Sequence, residues 1–204
     1  MQNVELIEDL RVRRTRKMIQ EAFMALTVEK GFSALTVRDI TERAMINRST
    51  FYRHFLDKYD LLEKYMDDVE AIIASEPLTE EMLEEHKNSG SNGLIKLLKH
   101  IQENAEFYRV MLGQQGDAAF TCRFQQNSAE RFRELMAFRG VTSDTNGLPN
   151  EMRVNYVACA GMGAIMWWLD NGQPCSAEQL AMWLGQLTMP SLGMLPFPQL
   201  AAEN

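Results

Sequence analysis

The 204-residue sequence predicts an all-α fold, in which a small basic helical module is joined by one long helix to a larger acidic helical body. Three observations carry this. Apolar residues recur at i, i+3, i+4 and i+7 in segment after segment. No segment alternates apolar and polar residues over more than a few positions, so no strand is expected. Charge is unevenly divided: residues 11–58 hold eleven Lys/Arg against five Asp/Glu, a net of +6, which leaves −13 for the rest of a chain whose total is −7.

Residues 1–10 read as a frayed lead-in. From Thr15 to Lys30, Ile19, Ala22, Phe23 and Leu26 make one apolar helix face, and Gly31 stops the helix with Phe32 placed for the contact of a Schellman cap. Thr36 opens a second helix, with Asp39 three residues on as its capping partner and Val37, Ile40 and Ala44 as its buried face. Met45-Ile46 is a tight connection, and Asn47 is an N-cap for a third helix of about two turns that buries Phe51 and Phe55. Asp57 caps a fourth helix from Lys58, whose stripe of Leu62, Tyr65, Met66, Val69, Ile72 and Ile73 runs on until Glu76-Pro77. Thr79–Lys87 reads as a short acidic helix and the stretch 89–93 (SGSNG) as a flexible break. Helices follow over 94–102, 105–112, 118–138, 151–170 and 176–188, with a loop over 139–149 and an irregular tail over 191–204. The expected domains are 11–71, containing a helix-turn-helix motif over 36–55, and 72–190.

Several function classes are disfavoured. No N-terminal segment resembles a signal peptide, and the longest apolar stretch, Val157 to Leu169, is too short to span a bilayer, so a cytoplasmic protein with no membrane partner is expected. Cys122, Cys159 and Cys175 are an odd, scattered set without a Cys-x-x-Cys, which speaks against a disulfide framework or zinc site. Glu81, Glu84, Glu85 and His86 read as a solvated helix face rather than metal ligands. There is no phosphate-cradling Gly loop and no nucleophile motif, and His54 has no catalytic partner at a suitable spacing. No enzyme, no metal and no cofactor is expected. An interaction module that does not bind DNA would explain an acidic helical body, but not the +6 segment.

Two short helices joined by a tight turn have helix-turn-helix geometry when the second turns its polar residues outward. With Phe51 and Phe55 facing in, Arg48 and Tyr52 share the opposite side, as do Ser49 and Arg53. Arg48, Ser49 and Thr50 occupy the first turn, where such a helix meets base edges; Arg48 can donate a bidentate pair to guanine and Tyr52 can reach a phosphate. Thr36 stands at another helix N-terminus, and Arg38, His54 and Lys58 complete a ring of phosphate donors, with Asn47 at the helix entry. The expected partner is double-stranded DNA.

Residues 13–62 resemble the DNA-binding domain of TetR-type (tetracycline-repressor-like) transcriptional regulators. The resemblance is carried by EKGF and by LTVRDITERAMINRSTFYRHFLDKYDLL, in particular Thr36-Val37, Ile40, Ala44, Thr50-Phe51-Tyr52, His54-Phe55, Lys58 and Leu61. It implies Thr36, Tyr52 and Lys58 on phosphates and Arg48, Ser49 and Thr50 near bases. Met45 stands where that family usually has Gly, which implies a strained or reset turn, and Ser49 replaces a frequent Gly.

Residues 103–120 and 155–187 resemble, more weakly, the C-terminal domain of one branch of that family. The resemblance implies a homodimer built on the last two helices, a small-molecule effector, and repression of a palindromic operator relieved when that effector tilts the long fourth helix. Ala158, Gly161, Met162 and Ile165 on the penultimate helix and Leu180, Trp183, Leu184 and Leu187 on the last one suit a dimer face. Phe107, Tyr108, Met111, Phe120 and Phe124 form an aromatic and Met cluster that would make a mostly apolar pocket if it is not simply core.

Overall fold

A computed structural model describes residues 2–74, 92–141 and 147–194. Among the described residues the regular elements are helices: α1 (Gln2–Lys30), α2 (Val37–Arg43), α3 (Arg48–Tyr52), α4 (Lys58–Ala74), α5 (Asn92–Glu103), α6 (Ala105–Leu112), α7 (Ala118–Phe138), α8 (Asn150–Asp170) and α9 (Ala177–Ser191). The all-α reading holds. The acidic helix expected over 79–87 lies outside the described residues.

The chain divides into two compact units. Met1–Asp68 with Glu106–Phe120 forms the first, and Val69–Ala105 with Thr121–Asn204 the second. The division falls inside α4. Aromatic packing explains why α6 joins the N-terminal helices: the Phe107 ring meets Phe23 edge-on at 5.8 Å and Tyr65 at 5.2 Å.

In the first unit, Ile19, Phe23, Phe32, Leu35, Ile40, Phe51, Phe55 and Leu61 form the core of α1 to α4, all essentially without exposed surface. The helix α1 begins at Gln2 rather than near Thr15. The apolar stripe from Ile19 to Leu26 marks one buried face, whereas the helix runs longer because no Gly or Pro interrupts the sequence before Gly31. At its end Gly31, at φ 78°, donates to the Thr27 carbonyl at 2.9 Å, the single bond of an αL cap rather than a Schellman pair. The next helix, α2, starts on a full capping box: the Asp39 amide donates to the Thr36 hydroxyl at 3.2 Å, and the Thr36 amide to the Asp39 carboxylate at 2.9 Å.

In the second unit α5 packs on α9, and α8 on α9. The helix α5 starts at Asn92, so Asn92 and Gly93 belong to it and not to a break; Gly93 is buried there. Trp168 is fully buried and donates from Nε1 to the Cys175 carbonyl at 2.8 Å. Lys99 of α5 reaches Glu178 of α9 at 2.7 Å. The last helix runs past Met189 through Pro190 to Ser191, because a proline in the final turn loses only one intrahelical bond. Gly193, at φ 76°, then allows Met194 to donate back to the Met189 carbonyl at 3.0 Å.

Candidate nucleic-acid interface

The polar face is assembled from α2, the turn after it, and α3. The helix α2 is held against the end of α1 at both of its ends. Lys30 pairs with Asp39 at 2.8 Å, and Glu29 takes a two-pronged bond from Arg43 at 2.8 and 2.6 Å. Exposed pairs like these contribute little stability each, but they fix direction. The Lys30 ammonium, then the Thr36 hydroxyl and amide, hold the Asp39 carboxyl well below the usual carboxylate range.

The turn from α2 to α3 is a Schellman motif: Ile46 donates to the Thr41 carbonyl at 3.0 Å and Met45 to the Glu42 carbonyl at 3.2 Å. Its C′ residue is Met45, at φ 52° in the left-handed region where Gly is at no disadvantage. The departure from Gly is therefore absorbed as local strain and the turn keeps its geometry, while the Met45 side chain projects with 87 % of its surface exposed.

Beyond the turn α3 is shorter than its sequence pattern suggests, five residues, with Asn47 at the N-cap position making no side-chain cap bond. Phe51 and Phe55 anchor it at 5.7 Å from one another. Arg48 and Tyr52 stand together on the outer side, the Arg48 Nη2 donating to the Tyr52 hydroxyl at 3.3 Å and its guanidinium lying 5.7 Å from the ring. Asn47, Arg48, Ser49 and Tyr52 are exposed, and Thr50 is half-buried. Arg38 is exposed and paired with Glu42 of its own helix at 2.7 Å. An exposed Arg pair of this kind leaves most of its five donors for other acceptors.

Two residues of the expected ring behave differently. His54 is half-buried; burial, then Arg16, Arg53 and Lys64, push its pKa below the usual histidine value, which disfavours the charged form. The Lys58 ammonium turns inward, donating to the carbonyls of Phe32, Ser33 and Leu35 at 3.0, 3.1 and 2.9 Å. Three more residues flank this face. Arg16 of α1 lies 5.9 Å from the Phe55 ring, Arg53 is exposed beside His54, and Leu56 projects with 77 % of its surface exposed. Helical spacing places Arg53 outward with Ser49, and Arg16 belongs to the basic run, but nothing in the pattern marks Leu56 as exposed.

The residues suggested for a dimer face part into two groups. Ala158, Ile165, Leu180 and Leu184 are buried in the second unit's own core, and Gly161 and Met162 are half-buried. Trp183 and Leu187 are exposed. Among the exposed residues of α8, Met152, Tyr156, Cys159, Ala160, Gly163 and Trp167 are spaced as one helical stripe that periodicity alone did not single out. The suggested pocket residues Phe107, Tyr108, Met111 and Phe120 are buried in the first unit, with the Phe107 ring edge-on to Tyr108 and Phe120, and Phe124 is buried in the second. No described helix is long and apolar enough to cross a membrane.

Two family profiles match. Residues 19–65 match the bacterial regulatory proteins of the tetR family, and residues 88–189, half the chain, match the transcriptional regulator C-terminal region of that family. Among curated proteins, the HTH-type transcriptional regulators YxbF and YvkB of Bacillus subtilis (strain 168) are 43 % identical over 56 residues and 40 % identical over 52. Those matches cover 27 % and 26 % of this chain but only 15 % and 28 % of the relatives, so they speak for the DNA-binding segment alone. Two solved structures agree over nearly the whole fold. A TetR transcriptional regulator from Streptococcus agalactiae 2603V is 22 % identical with a TM-score of 0.63, covering 90 % of this chain and 98 % of that one. NalD, the secondary repressor of the MexAB-OprM multidrug efflux pump in Pseudomonas aeruginosa, is 20 % identical with a TM-score of 0.58, covering 89 % and 96 %. Together with the exposed Arg48–Tyr52 face on a helix-turn-helix, the two profiles identify the chain as a member of the tetR family of bacterial regulatory proteins, a DNA-binding transcriptional regulator and not an enzyme.

Proposed function

We propose that this chain acts in the cytoplasm as a homodimeric repressor that reads a palindromic operator through α3 and is released by a small, mostly apolar effector. The observation that supports operator reading best is the Arg48–Tyr52 pair at the start of α3. Its donors point away from the core, and Asn47, Ser49 and Thr50 flank it without an intervening bulky apolar group. Arg48 is suited to guanine and Tyr52, Thr36 and Arg38 to phosphates. Two copies would place their α3 helices in successive major grooves about 34 Å apart.

The dimer reading rests on the exposed stripe of α8, Met152, Tyr156, Ala160, Gly163 and Trp167, with Trp183 and Leu187 on α9. A Cβ added at Gly163 would meet nothing within 4 Å in the single chain. Its smallness serves no contact of its own chain, but it would let a second helix approach closely. A two-fold pairing covers such a face with its own copy.

The effector reading rests on the buried aromatic set of the first unit. The Tyr65 and Tyr108 hydroxyls meet at 3.3 Å inside it, and burial pushes Tyr65 up to about 12 and Tyr108 well above the ordinary tyrosine value, so both stay neutral donors. An apolar molecule with one polar acceptor matches that environment.

The test is selection of duplexes from a random pool, followed by fluorescence-anisotropy titration of wild type and Arg48→Ala. An inverted repeat, and a loss of about 1–3 kcal/mol in the variant on that duplex, support the reading. Enrichment of no sequence, or equal binding by both proteins, overturns it. Transcription that falls rather than rises when the gene is deleted would exclude repression.

A further inference from the structure

The regular place for a cation on a helix is the last turn, yet Lys58 opens α4, where the helix dipole opposes a positive charge. Its environment explains the position. An ammonium carries three N–H donors, and three backbone carbonyls, those of Phe32, Ser33 and Leu35, receive them at 2.9 to 3.1 Å. The same nitrogen lies 4.8 Å from the Phe32 ring centroid and 5.4 Å from that of Tyr59. The carbonyls all belong to the short turn between Gly31 and Thr36, and Thr36 is the residue whose capping box starts α2.

We infer that Lys58 is a positioning residue for DNA docking rather than a phosphate contact. It pins the first residue of α4 to the turn that aims α2, and so sets where Thr36 and Arg38 stand. Removing it leaves three converging carbonyls without their donor and lets the start of α2 drift, although nothing on the outer face has been deleted. The chemistry required is narrow. A compact ammonium fits three carbonyls converging on one point, whereas a planar guanidinium cannot, although it would serve a phosphate equally well. The inference rests on α3 being the element that docks on DNA, and its test is built so that the two can fail separately.

The experiment is a salt titration of binding to the selected duplex, with wild type, Lys58→Met, Lys58→Arg and Arg38→Ala. Loss of one phosphate contact flattens the dependence of log K on log salt by about 0.9. Lys58→Met and Lys58→Arg are both expected to lose about tenfold in affinity with the wild-type slope retained. A flattened slope in Lys58→Met, unchanged affinity in Lys58→Met, or wild-type affinity in Lys58→Arg would each overturn the inference. Arg38→Ala serves as the reference for a lost outward charge. If the Lys58 variants do not fold, acetic anhydride labelling of the wild-type protein decides. Lys58 is expected to react slowly, and to the same extent, with and without the duplex. Rapid labelling that the duplex suppresses identifies a phosphate contact instead. A wild type that binds no duplex at all overturns the docking reading, whatever Lys58 does.

Discussion

The α2–α3 face and the α8–α9 face are both exposed surfaces of a single chain, built from opposite chemistry. The first presents Arg38, Arg48, Ser49 and Tyr52, exposed polar side chains that water can solvate. The second presents Met152, Tyr156, Trp167, Trp183 and Leu187, with apolar surface that water does not satisfy. The contrast is sharpest at two adjacent residues of α8. Trp168 has no exposed surface, whereas Trp167 keeps 49 % of its surface exposed. One indole belongs to the fold and its neighbour does not. A polar face is visible from its residue types, while an apolar one becomes visible only once burial has separated the core from what remains.

Substitutions can break or sharpen this contrast. Trp168→Ala should cost about 3–5 kcal/mol in urea unfolding, because a large cavity opens and the Cys175 carbonyl loses its donor. Trp167→Glu, one residue away, should leave the helical content of the chain intact. Sedimentation should instead show a monomer, and operator affinity should fall by about 10²-fold or more as bivalent binding is lost. A variant that stays dimeric would mean that this face is not the interface.

On the polar side, changes should spare the fold. Arg48→Ala should leave the thermal midpoint within a degree or two of wild type, while discrimination between the selected duplex and a scrambled one falls by about 1–3 kcal/mol. Met45→Gly should stabilise the chain by about 1 kcal/mol, since it removes left-handed strain and a side chain that touches little. A destabilised Met45→Gly would show that the exposed Met packs on something the single chain does not reveal.

The smallest effect is a pH dependence at the α2 capping box. The Asp39 pKa is lower in the fold than the ordinary value of 3.8. The unfolded chain therefore takes up its proton first, and the stability that Asp39 contributes is present above that value and lost as the pH falls further. The stability difference between wild type and Asp39→Asn, followed by acid titration of the helical signal, should shrink below about pH 4. A difference that stays constant to lower pH would remove the capping box from the account.

Much of the first unit was legible because its signals are local. A Thr and an Asp three residues apart, a Gly after a Lys, and two Phe residues one turn apart each specify a cap, a stop or a buried side within a few residues. The length of α1 was not legible, since a helix can continue beyond its periodic stripe where no Gly or Pro breaks it. Lys58 shows a different limit. Its type and place in the motif announce a basic residue near DNA, but the direction of its ammonium depends on three carbonyls more than twenty residues earlier.

By itself the sequence determined the all-α class, the helix-turn-helix and the outward side of α3, because polar and apolar residues alternate there at helical spacing and each side admits one environment. Only the tertiary structure decided which side of α8 is core, which residues Lys58 serves, and that α6 packs with the N-terminal helices. The segment Val157 to Leu169 is apolar nearly all round, so its periodicity carries no direction. Which face of such a helix is buried depends on α9 and the rest of the second unit, and long-range packing of that kind leaves no local mark in the chain.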